Sequence, residues 1–69
     1  MRPIATFINE EDGLAARVFN TESGFIVTLM DTDAKRELPT KWIYPEEERA
    51  LKRAEFLLHP ERFSNIEPN

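Results

Sequence analysis

Apolar residues along the chain alternate with three polar clusters before the pattern changes period. Asn9 to Gly13, Asn20 to Gly24 and Asp31 to Lys35 are rich in the residues that turns favour. The first two clusters end in the only two glycines of the chain, where a positive φ meets no Cβ clash. Between them lie β-branched and apolar runs of strand length: 4–8, 14–19, 25–30 and 38–44. Pro39 near the start of the fourth run suits an edge strand or a strand entrance. Connections this short join antiparallel neighbours, so the expected topology is a meander.

After Pro45 the period becomes helical. A proline in the first turn wastes no amide, and Glu46, Glu47 and Glu48 face the positive end of a helix dipole. Ala50, Leu51, Ala54, Leu57 and Leu58 fall on one stripe at about 100° per residue. Glu48 and Lys52 have the favourable i,i+4 order. His59-Pro60 ends the helix, because a residue before proline avoids the helical region. The expectation is an α+β single domain: a four-stranded antiparallel meander, one helix over 45–58, and a polar tail over 60–69.

Two faces follow from strand alternation. Leu14, Ala16 and Val18, with Phe25, Val27 and Leu29, form the face that suits the helix stripe. The opposite parity holds Phe7, Arg17, Phe19, Ile26, Thr28, Met30, Lys41 and Ile43. A half-solvated antiparallel sheet is normally polar there. A helix of about 14 residues spans roughly 21 Å and covers one face only. The second face therefore meets the tail through Phe63 and Ile66, a second copy of the chain, or a different macromolecule. Trp42 and Tyr44 share parity with Leu38, which leaves core and surface placements open. Phe56 stands opposite the helix stripe beside Arg49 and Lys52, the composition of an interface hot spot.

Charge and candidate chemistry narrow the function classes. Thirteen acidic and nine basic residues among 69 leave a net charge of -4. Such a chain has no general attraction for nucleic acid or anionic membrane. Cysteine is absent, which removes disulfides and thiol chemistry and is compatible with the cytoplasm. Met1-Arg2-Pro3-Ile4 has no signal-peptide core, and no apolar run approaches a bilayer span. In a meander the first and third turns share an end, so Glu10, Glu11, Asp12, Asp31 and Asp33 are expected to cluster as a solvated rim. Asp31-x-Asp33 begins like a calcium loop, but Lys35 and Arg36 occupy the following ligand and glycine positions, so Asx turns are expected instead. One histidine, two glycines and a short chain give no metal site, phosphate loop or enclosed catalytic cleft. No enzyme activity and no cofactor are expected.

The run Gly24-Phe25-Ile26-Val27-Thr28-Leu29-Met30-Asp31-Thr32-Asp33, a short strand ending at Pro45, and an Ala/Leu helix resemble small accessory proteins of bacteriophages and prophages. That resemblance implies a compact acidic protein that binds and inhibits or modulates one host protein in the host cytoplasm. A fainter similarity, in Phe25 to Asp31 and then Pro39 to Trp42, is to dimeric single-strand-binding proteins. The expected activity is thus protein interaction, with self-association to a homodimer as one form of it. The contact residues are Phe7, Arg17, Phe19, Ile26, Met30, Lys41 and Ile43 on the sheet, with Arg49, Lys52 and Phe56 on the helix. The alternative is a single-strand binder that stacks bases on Phe7, Phe19 or Trp42 and meets phosphates with Arg17, Lys41, Arg49 and Lys52.

Overall fold

In a computed structural model, residues 2–60 are described. The chain forms strands β1 (Ala5–Asn9), β2 (Leu14–Thr21), β3 (Gly24–Asp31) and β4 (Arg36–Tyr44), then helix α1 (Glu47–Leu58). The four strands form one antiparallel sheet in chain order, the expected meander followed by one helix. Cover of the far face by Phe63 and Ile66 lies outside the described residues.

Turn chemistry sets the hairpins. Gly13 and Gly24 both have positive φ, 66° and 127°, and Gly24 has no room for a side chain. A Cβ there would stand 2.8 Å from the Tyr44 carbonyl oxygen. In the third turn the Asp31 carboxylate accepts from the amides of Asp33 and Ala34, at 3.0 and 3.1 Å. This is the Asx geometry expected of the segment. Its left-handed position falls on Lys35, with φ 57°, rather than on a glycine.

The helix begins two residues later than its sequence pattern predicts. Glu46 has extended dihedrals and acts as the N-cap, so Pro45 lies outside the helix rather than in its first turn. No side chain caps the end, while Glu47 and Glu48 supply negative charge to the first turn. All five stripe residues face the sheet: Ala50, Ala54 and Leu58 are buried, and Leu51 and Leu57 pack beside them. They meet Ala16, Val18 and Val27, with Phe25, Leu29, Trp42 and Tyr44 at the margin. Trp42 and Tyr44 therefore lie on the helix side, partly buried against the core. Small alanines at the contact let helix and sheet approach closely, and dense packing of such contacts supports the fold.

Pro39 marks an irregularity in the edge strand. Thr28 pairs with Lys41 and Met30 with Glu37, so three residues of β4 lie opposite the single Leu29 of β3. Proline has no amide to give to the ladder, and a bulge on an edge strand accommodates it. The slip is by two residues, so alternation survives it and Glu37 stays on the same face as Lys41.

Candidate functional site

The face of the sheet away from α1 is organised in rows that run across the strands. Its middle row is polar: Thr6, Arg17, Thr28 and Lys41 are successive partners in the register. On one side lies the row Ile8, Ala15, Met30 and Glu37, and on the other Phe19, Ile26 and Ile43. Two apolar bands thus flank a stripe carrying two cations and two hydroxyls. Ile8 and Ile43 are 58% and 59% exposed. Phe19, Ile26 and Met30 are half-buried.

Phe7 is a correction. It was expected on this face, but its register partner is Ala16 and it packs against the core under α1. The turn between β1 and β2 pairs Asn9 with Leu14, and that register carries Phe7 to the helix side. There its ring fills space beside a residue that is only a methyl. Ile8 takes the far face instead.

Arg17 is the most connected residue of the face. Its Nη2 donates to Glu37 Oε2 at 2.9 Å. Its guanidinium carbon lies 5.4 Å from the centre of the Phe19 ring, a cation–π distance. Its Nε is nevertheless buried with no hydrogen-bond partner, as is the hydroxyl of Thr28. Thr28 is 4% exposed, the only polar side chain counted as buried among the described residues. It lines a shallow depression of about 240 Å³ with Phe19, Thr21, Ile26, Glu37 and Lys41. Most buried hydroxyls have a partner, so this one calls for an explanation.

The helix residues assemble elsewhere. Arg49, Lys52 and Phe56 border a groove of about 490 Å³ with Tyr44 and Arg53, beside α1 rather than on the far face. Arg53 Nε donates to the Tyr44 hydroxyl at 2.7 Å, and its guanidinium carbon lies 5.6 Å from the Phe56 ring centre. Glu46 and Glu48 approach Arg49 and Lys52 at 3.5 and 3.6 Å. These pairs are exposed and add little to stability, but they set nearby acids against two of the groove's three cations. The ten predicted contact residues therefore divide: six share the far face, three share the helix groove, and Phe7 belongs to neither.

Thr28, Glu37 and Ile8 were not among the predicted contacts. Strand parity had already placed Thr28 on this face, and Ile8 follows once the β1–β2 register is known. Glu37 comes within reach of Arg17 only because of the bulge at Pro39, and a proline inside a strand run was the available signal.

The acidic residues of the first and third turns do share an end. Thr32 donates its amide to the Gly13 carbonyl at 2.9 Å, and Asp33 stands close over Gly13. Asn9 Nδ2 ties this end to α1 through the Leu58 carbonyl at 2.8 Å. Among the described residues no group of three or more acidic or histidine side chains is arranged to hold a metal ion. No helix among them is long and apolar enough to cross a membrane. The chain matches no protein-family model, and no curated protein or solved structure matches it.

Proposed function

We propose that this chain is a non-catalytic binding module that docks another protein on the sheet face opposite its helix. The supporting observation is the order of that face: two apolar bands with Ile8 and Ile43 well exposed, split by the cations Arg17 and Lys41. The one acid among these rows, Glu37, is paired with Arg17. The face thus carries positive charge in a chain whose net charge is -4. It complements an apolar partner surface that bears acidic groups. Stacked on its own copy about a two-fold axis, the middle row would set Arg17 and Lys41 against like charges, so a heterologous partner fits better than a homodimer.

Size limits the kind of complex. Strands of eight residues rise about 27 Å and four of them span about 19 Å, giving about 500 Å² of flat face. That is below the roughly 800 Å² per partner of a standard interface, so rim loops contribute or the complex is transient. The resemblance of the sequence to phage accessory proteins makes a host protein the expected partner and occlusion the mode of inhibition. The single-strand-binding alternative draws less support. Of its three stacking candidates only Phe19 lies on the far face, since Phe7 and Trp42 pack under the helix.

The test compares capture from a bacterial lysate by wild type, Ile43→Asp and Arg49→Ala, with the solution mass of each bait measured in parallel. A partner retained by wild type and Arg49→Ala but lost by Ile43→Asp supports the proposal. Retention by all three, loss with Arg49→Ala alone, or a stable homodimer that binds nothing further overturns it.

A further inference from the structure

Resting on the docking face argued above, we propose that the depression around Thr28 is an anchor site for one carboxylate side chain, aspartate or glutamate, of the docked protein. The depression is lined by Phe19 and Ile26 on its apolar side and by Thr28, Glu37 and Lys41 on its polar side. The Thr28 hydroxyl, on a side chain more than nine-tenths buried, lines the depression with its hydrogen-bonding capacity unspent, and the Arg17 Nε on the neighbouring strand is likewise buried and unpartnered. Arg17 and Thr28 are direct register partners, so both side chains rise from the same point of the sheet. Lys41 follows as the next partner in the row and makes no ion pair among the described residues.

The donor count selects the ligand. Arg17 Nε and the Lys41 ammonium can only donate, and the Thr28 hydroxyl can do so. Glu37 is the one acceptor with charge, and Arg17 Nη2 already holds it at 2.9 Å. A ligand that accepts hydrogen bonds therefore suits the two donors that line the depression, the Thr28 hydroxyl and the Lys41 ammonium, whereas a donating ligand would leave Lys41 idle. Two cations against one carboxylate leave a positive site, which favours a carboxylate over a neutral carbonyl. A dianionic phosphate is disfavoured by the Glu37 carboxylate on the same wall. The apolar wall suits the methylene stem of an acidic side chain, and about 240 Å³ holds one such residue.

The experiment titrates the full ¹⁵N-labelled chain with N-acetylglutamate methylamide and, separately, N-acetylglutamine methylamide. The readouts are the Arg17 Nε–Hε resonance and the amides of Ile26, Thr28 and Lys41. A single anchored side chain binds in the millimolar range, so titration to about 50 mM reaches it. The acidic probe should shift these resonances at least about 5-fold more tightly than the amide probe, and Thr28→Val should weaken it about 5- to 10-fold. Thr28→Val keeps the side-chain shape, so the folded spectrum persists and the loss is read directly. Equal response to both probes, shifts confined to the Arg49–Phe56 groove, or no shift at the highest concentration overturns the anchor. The two proposals fail separately. Capture that depends on Ile43 without a carboxylate response removes the anchor alone, and a carboxylate response without Ile43-dependent capture removes the docking face alone.

Discussion

The two faces of this sheet are built from the same strands by different rules. Under α1 the contact residues are small or β-branched: Ala16, Val18 and Val27 meet Ala50, Ala54 and Leu58, all 1% exposed or less. On the far face the small residues Ala15 and Thr28 are also buried, at 2% and 4%, although no described element packs over them. Met30 is the register partner of Ala15, and Arg17 and Lys41 are those of Thr28. Long amphipathic side chains cover apolar surface while keeping their heads in water. One face is thus closed by the packing of α1, and over the other no described element packs.

That contrast can be broken by mutation. The largest effect is expected from Leu58→Ala, which empties a fully packed site and should cost about 2–4 kcal/mol in urea denaturation. Ile43→Ala on the far face should cost less than about 1 kcal/mol. Equal costs would mean that the far face is as much core as the near one. Next comes Gly24→Ala, because the added Cβ collides with the Tyr44 carbonyl at a φ of 127°. A loss of about 2 kcal/mol is expected there. The smallest effect sharpens the contrast most. Thr28→Val removes a buried hydroxyl that has no partner, so stability should be unchanged or rise by up to about 1 kcal/mol. Clear destabilisation by that substitution would mean the hydroxyl is bonded within the folded chain, leaving nothing for a ligand.

Much of the architecture was legible because it rests on local chemistry. Asn9 to Gly13 and Asn20 to Gly24 announced two hairpins through residues that tolerate tight turns, and the Ala50 to Leu58 stripe announced one buried helix face. The six far-face positions were legible for the same reason, since alternation within β2, β3 and the end of β4 is a local property. Phe7 was misplaced because β1 has only five residues and its parity relative to β2 depends on how many residues the turn consumes. The Arg17–Glu37 pair was invisible because it depends on a two-residue slip at Pro39, which no periodicity encodes. The start of α1 was displaced because Glu46 adopts extended dihedrals, a choice made where β4 hands the chain to the helix.

By itself the sequence determined the order of elements, the turns between them, the buried stripe of the helix and the existence of a second greasy face. Those features follow from spacing and from residues that act on their own backbone. Tertiary structure alone decided which aromatic residues turn inward, where Glu37 meets Arg17, and that the Thr28 hydroxyl and Arg17 Nε stand unpartnered side by side. Each of these depends on register between strands, and register is settled by turn length, bulge and packing against α1 together, none of which a single residue specifies.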